Sequence, residues 1–192
     1  MRKSGKSVLL VVLGIVILLA VYLVGQYNGL VTEEEGVKQS WSNVETNYQR
    51  RADLIPNLVE TVKGYAEHES ETFENIARLR AGYDEADTPE EYQALDQELA
   101  LAINVAVEAY PELRANENFL RLQDELAGTE NRIAIARQDY NAVATPYNTK
   151  IRRFPTSIVA GLMGFERHEL FEAAPGSDQV PQVDFGARFV FQ

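Results

Sequence analysis

The sequence predicts an all-α protein: an antiparallel four-helix bundle preceded by one N-terminal transmembrane helix. Three observations carry this prediction. Val8 to Val24 is a run of seventeen residues without a charge. From Val37 to Ile151 apolar residues recur at steps of three and four, the period of one face of a helix. No strand pattern of useful length appears before residue 165. The expected division is a basic flank at 1–6, a transmembrane helix at 7–27, a bundle domain at 28–164 and an extended tail at 165–192.

The apolar run comes first. Seventeen residues of helix span about 25 Å, slightly short of a hydrocarbon core of about 30 Å. Gly25, Gln26 and Tyr27 close the gap, and tyrosine suits the membrane interface. A cleaved signal peptide is the competing reading. Its apolar region would be shorter, and small residues at both −3 and −1 are missing near Leu23-Val24-Gly25. There is no cysteine to carry a lipoprotein anchor. A retained anchor, meeting the lipid bilayer through Val8 to Val24, is therefore expected. Arg2, Lys3 and Lys6 lie before the run, and Glu33, Glu34 and Glu35 lie after it. The positive-inside rule then puts the N-terminus in the cytoplasm and the bundle on the periplasmic or extracellular side.

Beyond residue 25 the chain keeps all 29 acidic residues but 15 of its 18 basic ones, a net charge of −14. Nucleic acid is not an expected partner of such a domain, because phosphate binding needs lysine and arginine. A well-solvated acidic surface is the simpler reading.

Helix one is expected over about Thr32 to Ala52, with Val37, Trp41, Val44 and Tyr48 on one face. Tyr27 to Val31 joins it to the anchor. Asp53 is able to cap a second helix, with Pro56 in its first turn. The stripe resumes at Ile55, Leu58, Val59 and Val62 and fades near Arg80 to Gly82. Its phase runs through Pro56, so one kinked helix is an alternative to a turn. The turn is favoured because an interior proline costs about 3 kcal/mol. Thr88-Pro89-Glu90-Glu91 reads as a capping box with proline in the first helical position. Helix three follows with Tyr92, Leu95, Leu99, Ile103 and Val107, and ends near Ala109, ahead of Pro111. Asn116 is able to cap helix four, whose stripe runs from Phe119 to Ile151 with an interruption at Pro146. Short helical turns are expected in Thr156 to Met163. From Phe165 onward no helical period remains, although Leu170-Phe171 and Val183-Asp184-Phe185 are apolar spots suited to docking on the bundle.

The residues offer little catalytic chemistry. Glu67-His68-Glu69 lacks a second histidine at Thr72, where a zinc protease helix would need one. His68 and His168 are the only histidines, and no cysteine supplements them, so no metal or other cofactor is expected. Gly176-Ser177-Asp178 lacks the second glycine of a nucleophile elbow. Polar residues cluster instead at Arg50, Arg51 and Asp53, at Thr129-Glu130-Asn131-Arg132, and at Arg137, Tyr140 and Asn141. Glu130 falls on or beside an apolar stripe, where a charge is normally paired. Arg50, Arg51, Asp53, Glu130, Arg132 and Arg137 are thus the candidates for an interhelical ion pair or an interaction site. A buried Glu130–arginine pair would make truncation of Glu130 cost more than about 2 kcal/mol.

Several of these stretches, taken in order, resemble one family. They are Tyr27 to Val31 after an anchor, Arg50 to Val59 with Val62-Lys63-Gly64-Tyr65, and Tyr110-Pro111-Glu112-Leu113. Thr129 to Ile133, Tyr140-Asn141, Phe154-Pro155 and Gly164-Phe165 follow. Together they are similar to the LemA family over about residues 27 to 172. The resemblance implies a bacterial protein with one membrane helix and a four-helix bundle, and it brings no catalytic residues. Genes for such proteins often neighbour those for membrane metalloproteases or other small membrane proteins, which implies envelope maintenance by association. The expected function is a non-enzymatic interaction or scaffold module in the cell envelope, with an envelope protein or a second copy as partner. The alternative is an accessory subunit of a membrane protease or transporter whose tail docks on its partner.

Overall fold

A computed structural model of the chain describes residues 3–64 and 70–173. His68, Gly176-Ser177-Asp178 and Val183-Asp184-Phe185 lie outside these residues. The described chain is all-α, with no strand. Its helices are α1 (Lys3–Ala52), α2 (Ile55–Lys63), α3 (Ser70–Glu85), α4 (Pro89–Ala109), α5 (Glu117–Lys150) and α6 (Thr156–Met163). A 3-10 turn, Pro111–Ala115, precedes α5.

The anchor and helix one form a single element. Tyr27 to Val31, expected as a joint, is helical, and Leu30 within it is fully buried. The reason lies in the spacing. Leu30, Val37, Val44, Arg51 and Leu58 recur every seven residues, as do Trp41, Tyr48, Ile55 and Val62. A strict heptad keeps one seam facing the partner helix over many turns. That seam packs against α5.

The same heptad decides the junction at Asp53 to Pro56. The expected turn is not present; α1 and α2 form one kinked rod. Three pairs of positions show α5 running antiparallel to it. Glu33 meets Lys150 near the start, Tyr48 meets Arg137 further on, and Arg51 meets Glu130 beyond that. Past the kink, Asn57, Glu60 and Thr61 line a shallow groove with Asn118, Arg121 and Glu125, so the register carries on. Hydrogen bonds also bridge the bend: Asp53 N–H donates to the Gln49 carbonyl at 2.9 Å, Leu54 N–H to Arg51 at 3.1 Å, and Leu58 N–H to Leu54 at 3.1 Å. Pro56 sits in the first turn of α2, where a missing N–H costs least. Asp53 does not cap that helix. Leu54 stands in the cap position with helical angles, and Asp53 is exposed, accepting a 3.3 Å hydrogen bond from Gln49 Nε2.

Of the expected second helix, the described residues form α2 and α3. α3 packs on both α1 and α2, and α4 returns along α3 after the three-residue link 86–88. The capping box forms there. Thr88 Oγ1 accepts from Glu91 N–H at 3.3 Å, while the Glu91 carboxylate accepts from the N–H groups of Asp87 and Thr88 at 2.9 and 3.1 Å. Asn116 caps α5 by accepting from Asn118 and Phe119. Pro146, expected to interrupt this helix, lies inside it.

After α5 the chain reverses through a cis Phe154–Pro155 bond into α6, which packs on α1. Gly164 ends α6 at φ +78°, a left-handed conformation that favours glycine. Residues 165–173 then run extended back up the bundle. The Thr88 hydroxyl satisfies a helix N–H that nothing else in the box reaches, so Thr88→Ala should cost about 1 kcal/mol. Urea denaturation of the full chain in detergent checks this, and an unchanged midpoint would refute it.

Candidate functional site

Helical periodicity puts five polar side chains on the inward faces of four different helices. Tyr48 and Arg51 come from α1, Tyr83 from α3, Asp96 from α4 and Arg137 from α5. Asp96 is at the centre. Its Oδ1 accepts from Arg51 Nη1 at 2.8 Å and from the Tyr83 hydroxyl at 2.8 Å. Its Oδ2 accepts from the Tyr48 hydroxyl at 3.1 Å and from Arg137 Nη2. Arg137 Nε also donates to Tyr48 Oη at 2.9 Å. Glu130 closes the outer side by accepting from Arg51. With two arginines and two carboxylates the cluster is neutral.

The candidate residues therefore divide. Arg51, Glu130 and Arg137 are brought together. Arg50, Asp53 and Arg132 are exposed and point away. Asp96, absent from the candidates, is the hub. The Asp96 side chain is only 13% exposed and Arg51 9%, whereas Glu130 is 48% exposed. The buried partner of Arg51 is Asp96, and the expected high cost of losing Glu130 moves to Asp96. The signal for Asp96 was in the sequence: Tyr92, Asp96, Leu99 and Ile103 are spaced four, three, four.

Burial pushes the Asp96 carboxyl above its ordinary range, while Arg51, the Tyr83 hydroxyl and Arg137 pull it back. Burial also works against the Arg51 charge, but Asp96 beside it carries the Arg51 pKa above its usual value. Burial raises the Tyr48 and Tyr83 phenols strongly, and the Asp96 charge adds to this. The cluster is thus a clamp, with both carboxylate oxygens engaged.

A second constellation receives the C-terminal segment. The Asn148 amide pairs both ways with the backbone of His168, at 2.7 and 2.9 Å. Asn141 does the same with Phe171, at 2.8 and 3.1 Å. The Tyr140 hydroxyl donates to the Glu169 carbonyl, and Gln93 to that of Glu172. The Phe171 ring stacks on Trp41 at 5.9 Å and meets Tyr140 edge-on at 5.8 Å. Arg137 lies over Phe171 at 5.1 Å, which joins this segment to the Asp96 cluster. On the opposite wall, a groove of about 460 Å³ lies between α3 and α4, lined by Leu79, Gly82, Leu95, Leu101 and Val105.

The chain matches the LemA family over residues 40–185, a stretch that holds every residue of the Asp96 cluster. The chain belongs to the LemA family. It is similar to Protein LemA of Metamycoplasma hominis, with 28% identity over 84% of this chain and 74% of that protein. It is also similar to Magnetosome protein MamQ 2 of Paramagnetospirillum magneticum, with 29% identity over 87% of this chain and 72% of that one. For Magnetosome protein MamQ of Magnetospirillum gryphiswaldense the figures are 27%, 95% and 80%. None of these names indicates a catalytic activity.

Two outcomes follow for this LemA-family bundle. Asp96→Ala removes the carboxylate shared by the buried Arg51 and the half-buried Arg137 and should cost about 3–5 kcal/mol, whereas Glu130→Ala should cost about 1 kcal/mol or less, because its carboxylate is half in solvent. Equal losses in chemical denaturation would refute the hub role of Asp96. The second outcome concerns alkaline pH. Burial raises the Tyr92, Tyr140 and Tyr147 phenols to about 12, and Tyr48 and Tyr83 further. A raised phenol stabilises the fold fully below its unfolded value near 10 and loses that contribution as pH rises toward the folded value. Absorbance at 295 nm and ellipticity should therefore change together above pH ~10. Ionisation of all nine phenols near pH ~10 with no loss of structure would contradict this burial.

Proposed function

We propose that this membrane-associated LemA-type protein is a non-enzymatic interaction module that holds a rigid helical bundle at fixed height and orientation above a bilayer. The observation that carries the reading is the continuity of α1, Lys3–Ala52, from the apolar run into the core seam. A helix of this kind transmits orientation, whereas a loop would not. From Val24 to Ala52 it rises about 40 Å, and α2 adds about 13 Å. At the base, the Thr156 hydroxyl donates to Gln26 Oε1 at 3.1 Å, and Phe165 meets Tyr27 at 5.8 Å between ring centres. These contacts tie α1, just past its apolar run, to α6 and to the residue that follows it. The N-terminus lies in the cytoplasm and the bundle on the far side, as the basic N-terminal flank supports. The partner is an envelope protein or a second copy.

The accessory-subunit reading is weakened in one form. Residues 168–172 pack on the chain's own bundle, so this part of the tail is already engaged. Crosslinking in intact membranes followed by mass spectrometry tests the module reading. The comparison is between the wild type and a chain with Gly-Ser-Gly-Ser inserted after Asn28. A defined adduct in the wild type, lost in the insertion variant at unchanged melting temperature, is expected. No defined adduct, or the same adduct in both chains, would overturn the role of the rigid rod.

A further inference from the structure

The helix α6 has a composition that the bundle does not account for. Its eight residues, Thr-Ser-Ile-Val-Ala-Gly-Leu-Met, carry no charge. Thr156, Val159 and Ala160 form its buried side. Ile158 and Leu162 lie on the opposite side and are exposed, Leu162 at 78%, and Met163 at the C-terminal end is exposed too. Phe154, in the turn just before, is 81% exposed. A helix that is apolar all round is normally buried on all sides, in a core or in lipid. Protein covers one side of this one.

The location of α6 identifies what covers the other. Thr156 bonds to Gln26, two residues past the end of the apolar run at Val24. Phe165, just beyond α6, packs on Tyr27. Every residue from Val8 to Val24 is exposed, as a lipid-facing helix would be. The exposed side of α6 is therefore continuous with a surface suited to hydrocarbon. Charge agrees. From Lys150 to Arg167 the basic residues are Lys150, Arg152, Arg153 and Arg167, against Glu166 alone, in a domain that is otherwise strongly acidic. Arg152, Arg153 and Arg167 are exposed. Arginines flanking an apolar face place their head groups at the phosphate level while the apolar side chains sink below it.

We propose that α6 is a second membrane contact: Phe154, Ile158 and Leu162 insert into the leaflet on the bundle's side, beside the emerging α1. The foot rests on the reading of Val8 to Val24 as a membrane span. An apolar wedge there extends the hydrophobic surface at the upper end of the span, where the apolar run ends at Val24. It also resists tilting, since a rod held at two points on the interface has fewer orientations than one held at a single point.

The chain has no cysteine, so single cysteines report without background. Nitroxide labels at Leu162→Cys, Ile158→Cys, Leu18→Cys and, at the far end of the bundle, Leu120→Cys are compared in the full chain. The chain is reconstituted in vesicles of phosphatidylcholine and phosphatidylglycerol. Accessibility to oxygen and to a water-soluble nickel chelate is read by electron paramagnetic resonance. Labels at 158, 162 and 18 should favour oxygen, and the label at 120 the nickel chelate. If 162 and 158 behave like 120 while 18 remains in lipid, the foot is wrong and the anchor stands. If 18 also lies in water, the membrane-span reading fails and the foot with it.

Discussion

A single carboxylate sets the arrangement of this bundle. Asp96 takes donors from α1, α3 and α5 while standing on α4, so it is the point where all four layers meet. Moving any of these helices by one turn, about 5.4 Å, would leave a buried charge or phenol without its partner. The apolar seams alone do not forbid such a shift, because heptad stripes repeat and tolerate slipped registers. Burying the cluster adds little net stability, since desolvation consumes most of the Coulomb gain. Its effect is to make one register much better than its neighbours. The Tyr48 ring, whose hydroxyl reaches Asp96, stacks on Tyr92 with 4.0 Å between ring centres.

The clamp also reaches the C-terminal segment. Arg137 touches Asp96 with its guanidinium edge and faces Phe171 with its plane. Asn141 and Asn148, seven residues apart on α5, present amides that pair with extended backbone as a neighbouring strand would. This segment has no helical period to bury and no sheet to join. Side-chain amides pair with its peptide groups at His168 and at the buried Phe171 instead. The docked segment therefore reports on the order of the core beneath it.

How much of this was legible in the sequence follows from which signals are local. The capping box at Thr88 and the cap at Asn116 depend on neighbours in the chain, and both were readable. The seams were readable for the same reason. The bend at Pro56 was a contest between a local cost and a long-range gain. The proline argued for a turn, but the uninterrupted heptad on either side could be buried only if α2 continued along α5. Asp53 lost its capping role with the turn. Glu130 and Asp96 show a different limit. Both are acidic residues on or beside a stripe, and they differ in how closely apolar neighbours bracket them. Asp96 stands where Tyr92 and Leu99 bracket it on the seam, whereas Glu130 follows the buried Thr129 and leans outward. Which arginine pairs with which carboxylate depends on the register between helices, which no single stripe contains.

The waist and the base of the molecule are constrained by different physics. At the waist, charged hydrogen bonds in a dry setting are short-ranged and specific, so that level resists sliding. At the base, α6 meets α1 through small and apolar side chains, Val159 and Ala160 among them, with one hydroxyl-to-amide bond to Gln26. Apolar contacts are non-directional and tolerate small rotations. Register is thus fixed most tightly at the waist, while toward the base the partly exposed Glu33–Lys150 pair adds a weaker charged contact.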